Sequence, residues 1–164
     1  VHAQPAAGET PYALEIRLVD SLGQDDITVC ACGASGRIAP WGGLLSTAAK
    51  VRGAAGAVMD GLVRDIRDIR SMAFPVFHGG IGPLDSKGRG EVVRIDVPVR
   101  VGGVLVHPGD ILFGDADGCV VIPQAIEADV VKAAREKLRG ETKTKEALMA
   151  GRKLGDVFAE FGVL

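Results

Sequence analysis

The chain has 164 residues, and 19 Lys and Arg against 21 Asp and Glu give a formal net charge of −2, a length that suits one ordinary domain. Its 47% hydrophobic and 24% charged composition excludes a chain disordered throughout, and near-neutral charge with no basic cluster interleaved with aromatics speaks against nucleic-acid binding. No apolar run approaches the roughly 20 residues of a membrane-spanning helix, no basic-then-apolar leader opens the sequence, and the odd set Cys30, Cys32 and Cys119 is not a disulfide framework; a reducing, cytoplasmic setting is expected.

Residues 1–9 read as a loose lead-in and residues 10–164 as one domain. Thr10-Pro11 suits a helix start, with Leu14, Leu18 and Leu22 keeping helical spacing until Gly23. A short strand follows at 27–31, and its alternation places Cys30 and Cys32 on one face as small buried fillers. Gly42-Gly43 then feeds an Ala- and Leu-rich helix that runs to Gly53. Residues 55–59 read as a buried strand, Asp60-Gly61 as a turn and 65–72 as a short amphipathic helix. This β-α-β rhythm predicts a partly parallel sheet.

From Pro75 the texture changes to short strands at 76–78, 92–96, 99–101, 104–106, 111–114 and 119–122. Gly102-Gly103 between two valine-rich runs is a two-residue hairpin signal, and Pro108-Gly109-Asp110 and Asp115-Ala116-Asp117-Gly118 mark further turns. Glycine, at 23 residues, exceeds its usual ~7% and sits mostly at element ends, as many tight turns require. The C-terminal part returns to helix. Ile126, Val130, Ala133 and Lys137 share one face until Gly140, and a second helix carries Leu148, Leu154, Phe158 and Phe161.

For chemistry, the most suggestive stretch is Asp60-Gly61-Leu62-Val63-Arg64-Asp65, which places an arginine and two carboxylates at a strand end, where α/β folds keep their sites. The same residues also suit a helix cap, Asp65, with its partner Asp68. Gly42-Gly43 is either a plain turn or an anion site built from free amides at a helix start. His78 and His107 stand alone, and Asp110, Asp115 and Asp117 occupy turn positions that explain them without a cation. The Lys and Glu residues between 132 and 146 read as a solvated helix face.

Gly56-Ala57-Val58-Met59-Asp60-Gly61-Leu62-Val63-Arg64-Asp65, then Phe74-Pro75-Val76-Phe77, then Pro108-Gly109-Asp110 and Asp117-Gly118-Cys119-Val120-Val121-Ile122-Pro123 together resemble the RraA-like family. That family includes the 4-hydroxy-4-methyl-2-oxoglutarate and 4-carboxy-4-hydroxy-2-oxoadipate aldolases and the regulator of ribonuclease E activity. The resemblance spans roughly residues 11–164, and it rests on several separated motifs in the right order. It implies a compact α/β domain of the swivelling phosphohistidine-domain type, with a mixed central sheet and C-terminal helices. It also implies assembly into homotrimers or hexamers, and a chain here that lacks the family's N-terminal portion.

The resemblance further implies a divalent cation, Mg²⁺ or Mn²⁺, held by Asp65, while Arg64 grips the carboxylate of a small 2-oxo acid and the amides of Gly42, Gly43, Leu44 and Leu45 hold the same group. A single carboxylate leaves most positions of a six-coordinate ion to water and a chelating keto acid. Arg64 and Asp65 are thus the expected catalytic pair of a class II, metal-dependent aldolase or oxaloacetate decarboxylase. One departure stands out: the aldolases carry an acidic residue twenty-one positions before the arginine, which here is Gly43. Loss of a general acid–base group typically costs ~10²- to 10⁴-fold in rate. The competing expectation is a non-catalytic regulator of the ribonuclease-regulator type, which Gly43 favours and the intact Arg64-Asp65 pair opposes.

Overall fold

A computed structural model of the chain describes residues 12–33 and 36–163. Helices and short strands alternate, as an α/β domain requires, and two compact units are distinguished, one ending at Val121 and the other beginning at Ile122.

In the first unit, α1 (Ala13–Ser21) leads to β1 (Ile27–Cys30), α2 (Gly43–Val51) and β2 (Gly56–Met59). β3 (Leu62–Val63), α3 (Ile66–Ser71), β4 (Val76–Phe77) and β5 (Gly80–Ile81) follow. β2 is the central strand of a parallel sheet, with Ile27 opposite Gly56 on one side and Ala57 opposite Val76 on the other. The expected β-α-β rhythm is therefore present. Ala49, Ala57, Met59, Val63, Ile69, Phe74 and Trp41 form the core between this sheet and the helices. The small alanines let α2 lie close on the strands, and the buried Trp41 indole satisfies its N–H on Ser46 Oγ at 2.8 Å.

β3 and β5 pair in parallel, Leu62 with Gly80 and Val63 with Ile81, and Trp41 bridges Val63 in parallel. Neither two-residue strand was expected from the sequence, because such short runs have no measurable period. Their consequence is large: Val63 is a fixed strand end, and Arg64 and Asp65 come directly after it.

The hairpin of β6 (Val99–Val101) and β7 (Val104–Val106) turns on Gly102 and Gly103, at φ 56° and 84°, the positive pair that a two-residue hairpin loop demands. β8 (Ile111–Asp115) and β9 (Gly118–Ile122) pair as a further two-stranded sheet. The strand expected at 92–96 is absent. Asp96 sits at φ 55°, a left-handed conformation that breaks an extended run, and residues 92–100 instead flank β1 along an open groove of about 850 Å³. That groove is lined by neither Arg64 nor Asp65.

α1 also departs from expectation. Its start at Thr10 and Pro11 lies outside the described residues, and its most buried positions are Glu15 and Val19, with the leucines flanking them. A carboxylate thus occupies the centre of the packed face. In the second unit, α4 (Glu127–Met149) runs straight through Gly140 and is followed by α5 (Leu154–Phe161). A single helical glycine costs only about 1 kcal/mol against alanine, and here its bare Cα admits Val163, whose Cγ2 would lie 2.9 Å from an added Cβ. The stop comes instead at Ala150-Gly151, where Gly151 takes φ 85°. Among the described residues no helix is long and apolar enough to cross a membrane.

Candidate active site

Parallel strands leave their polar loops at the carboxyl ends, and β3 delivers Arg64 and Asp65 to such an end. The Arg64 amide donates to Trp41 O at 3.0 Å and Gly82 N–H donates to Val63 O at 3.0 Å, so the backbone is held from both sides. Asp65 then takes a left-handed conformation, φ 59° and ψ 33°, as the residue preceding α3. Asp tolerates this region better than most residues, though at some cost. The kink keeps its carboxylate on the side of α2 and away from its own helix, where it makes no capping bond.

The Asp65 carboxylate accepts the Gly43 N–H through Oδ2 at 2.9 Å. Gly43 opens α2, so a carboxylate lies at the positive end of a nine-residue helix. Gly42 makes the approach possible. A Cβ there would lie 2.7 Å from Asp65 Oδ2 and 2.8 Å from Arg64 Cγ, although its own φ of −159° is open to any residue. The Arg64 guanidinium donates through Nη1 to Ala39 O at 2.6 Å, and its Nε stands 3.7 Å from Asp65 Oδ2. Arg64 is 24% exposed and Asp65 42% exposed at the side chain. Both can therefore meet a ligand from solvent.

The expected residues are accordingly brought together, with one reassignment of parts. Gly43 N–H is taken by Asp65 and is not an open donor. Ser46 N–H bonds back to Gly42 O, so Leu44 and Leu45 supply the two first-turn amides that an α-helix leaves without an internal acceptor. Asp60, grouped with this pair in the sequence, has turned to structure: its Oδ1 accepts Cys32 N–H at 2.7 Å. Cys32 is buried against Gly61, and burial pushes its thiol up to about 11 and Cys30 up as well. Asp115 and Asp110 accept the amides of Asp117 and His107, each at 2.8 Å, as turn residues do.

Behind Arg64 stands a polar group that the sequence did not single out. Tyr12 donates its hydroxyl to Asp85 Oδ2 at 2.7 Å, and Ser86 donates to Glu15 Oε1 at 2.9 Å. Burial raises the Glu15 pKa, opposed by the Ser86 hydrogen bond and the Arg64 charge; the Tyr12 hydroxyl lowers that of Asp85. A signal was available for Glu15, a carboxylate four positions before Val19 on an otherwise apolar helix face.

Among the described residues no cluster of three or more His, Cys, Asp or Glu is placed to cage a metal. The donor set that is present, one carboxylate whose Oδ2 accepts Gly43 N–H and whose Oδ1 accepts no hydrogen bond from the described residues, suits a hard cation that keeps its water.

Comparison with known proteins decides the family. The model of the RraA-like family, described as Aldolase/RraA, matches residues 7–121. The chain belongs to the RraA-like family. It is 41% identical over 119 residues to an uncharacterized protein of Methanocaldococcus jannaschii, covering 73% of this chain and 57% of that one. It is 35% identical over 114 residues to the 4-hydroxy-4-methyl-2-oxoglutarate aldolase of Thermus thermophilus, covering 68% of each. Among solved RraA-like structures, it matches a Streptomyces coelicolor protein described as an unusual member of the RNase ES inhibitor RraA family, with TM-score 0.76, 29% identity and coverage of 87% of this chain and 72% of that one. The chain spans about half the length of the first curated relatives it matches, 57% and 47%. Named RraA-like relatives include both aldolases and RNA-processing inhibitors.

Proposed function

We propose that this chain is a divalent-cation-dependent lyase that binds pyruvate-like 2-oxo acids, cleaving a 4-hydroxy-2-oxo acid or decarboxylating oxaloacetate. The observation that carries the reading is the 2.9 Å hydrogen bond from Gly43 N–H to Asp65 Oδ2, because it joins the helix start, the carboxylate and the neighbouring guanidinium into one site. Three features that are individually weak in the sequence reinforce one another once they are adjacent.

Asp65 would hold Mg²⁺ or Mn²⁺ through the oxygen that Gly43 does not occupy. The bound cation supplies stabilisation for the negative charge that develops on the keto oxygen as the carbon–carbon bond breaks. Arg64 uses one arm on Ala39 O and keeps its remaining donors for a planar carboxylate, a geometry that lysine does not match. The Leu44 and Leu45 amides add donors at the positive end of α2. Decarboxylation suits this residue set better than aldol cleavage, since it begins without removing an alcohol proton and α2 offers no acid at position 43.

The second reading, a regulatory RraA-type protein, is favoured by one observation, the absence of any side chain at the first residue of α2. Oxaloacetate decarboxylation and 4-hydroxy-4-methyl-2-oxoglutarate cleavage, measured with and without EDTA on wild type and Asp65→Ala, separate the two. The lyase reading expects pyruvate release that EDTA and Asp65→Ala each reduce by ~10²-fold or more, the lower range for loss of one charge-stabilising group. Pyruvate release indifferent to chelation, or no release at all, contradicts it, and the latter favours the regulator.

A further inference from the structure

Arg64 does not hold its own position. Its Nη1 rests on Ala39 O at 2.6 Å, and Ala39 N–H in turn donates to Leu84 O at 2.6 Å. Two residues after Leu84 the chain enters a turn closed by Arg89 N–H and Gly90 N–H, both donating to Ser86 O at 2.8 Å. That turn is fastened to α1 by Ser86 Oγ on Glu15 Oε1 at 2.9 Å and by Tyr12 on Asp85 at 2.7 Å. Ser86 and Glu15 are only 1% and 6% exposed. A hydroxyl–carboxylate pair so far from water is short of alternative partners, and breaking it leaves a buried polar group unsatisfied.

Asp65 belongs to a different frame, the start of α2 through Gly43. The two side chains, which stand 3.7 Å apart, are therefore braced differently, Arg64 by α1 through the 84–90 segment and Asp65 by the start of α2, which also carries the Leu44 and Leu45 amides.

We propose that Glu15 and Ser86 are positioning residues for the Arg64 guanidinium, so that α1 sets the affinity for the carboxylate of the 2-oxo acid without setting that for the cation. The proposal rests on the lyase reading for the identity of the ligand. The hydroxyl of Ser86 gives Glu15 an acceptor role that Gln can also fill, whereas Ala at either position removes the link.

The test is a double-mutant cycle read by calorimetric titration of pyruvate in the presence of Mn²⁺, with Mn²⁺ affinity measured alone. Ser86→Ala is expected to weaken pyruvate binding by about tenfold, the upper end for loss of one hydrogen bond, and to leave Mn²⁺ affinity unchanged. In an Arg64→Ala background the same substitution is expected to have no further effect, because a positioning residue acts only through the group it positions. Glu15→Gln is expected to keep pyruvate affinity, and Glu15→Ala to lose it to the same extent as Ser86→Ala. A Ser86→Ala effect that persists without Arg64, or that reduces Mn²⁺ affinity equally, overturns the proposal, as does no effect in a protein with unchanged circular dichroism. If Arg64→Ala itself leaves pyruvate binding intact, the lyase reading fails, and this inference with it.

Discussion

Gly42 shows how a residue without a side chain can decide a site. Its backbone is extended and imposes no need for glycine, yet an added Cβ would lie 2.7 Å from Asp65 Oδ2 and 2.8 Å from Arg64 Cγ. Gly42→Ala must therefore push one of the pair aside. Overpacking of this kind costs typically 1–3 kcal/mol, small enough for the fold to survive. The expected outcome is a protein with a lowered melting temperature and ~10-fold or greater loss of pyruvate affinity, measured by calorimetry and thermal denaturation together. Unchanged affinity would mean that the pair can shift without consequence. The role of Gly42 was visible in the sequence only as a turn or an amide donor. What hid its steric part is that the clash involves residues 22 and 23 positions away, which no local pattern reports.

At the scale of elements, α1 carries a charge in its packed face. Burial holds the Glu15 pKa above the ordinary carboxylate range, with the Ser86 hydroxyl and Arg64 opposing and Asp85 and Glu91 adding to the rise. The folded state therefore binds this proton more tightly than the unfolded chain does. Its contribution to stability is complete below the ordinary glutamate pKa and is lost as pH rises through the elevated value. Asp85 behaves oppositely, since its lowered pKa contributes stability above the ordinary aspartate range that disappears on acidification. Glu15→Gln, which keeps the acceptor for Ser86 and removes the titration, is expected to gain stability relative to wild type as pH is raised from about 4 to 7, the span above the ordinary glutamate pKa. Urea denaturation across that range checks it, and a stability difference that does not vary with pH contradicts it.

Elements with a clear period or a strong turn residue were legible in advance: the α2 start at Gly42-Gly43, the β1–β2 parallel pair and the Gly102-Gly103 hairpin. Those decided by tertiary contact were not. Residues 92–96 have strand-forming valines but lie outside any strand, and the run ends at Asp96 in a left-handed conformation. Gly140 reads as a stop but is a point of close approach for Val163. β3 and β5 are too short to leave a pattern, yet β3 is what aims Arg64 and Asp65.

For the molecule as a whole, the family model covers residues 7–121, and the first compact unit, which ends at Val121, contains the whole candidate site. The helical unit from Ile122 onward contributes none of the residues discussed as ligands. Family membership was legible because its motifs are spread over the chain in a fixed order. The candidate site was only half legible, since the carboxylate, guanidinium and amides come from positions 42 to 65 and their adjacency is a property of the fold. The claim that unites them is that one keto acid is held by the guanidinium and the amides directly and by the carboxylate through a cation. A crystal soaked with Mn²⁺ and pyruvate, with the ion located by its anomalous scattering, tests this most directly. The account predicts an anomalous peak on the Asp65 carboxylate, with the pyruvate carboxylate on Arg64 and the Leu44 and Leu45 amides. An ion bound elsewhere, or pyruvate seated away from Arg64, would contradict it.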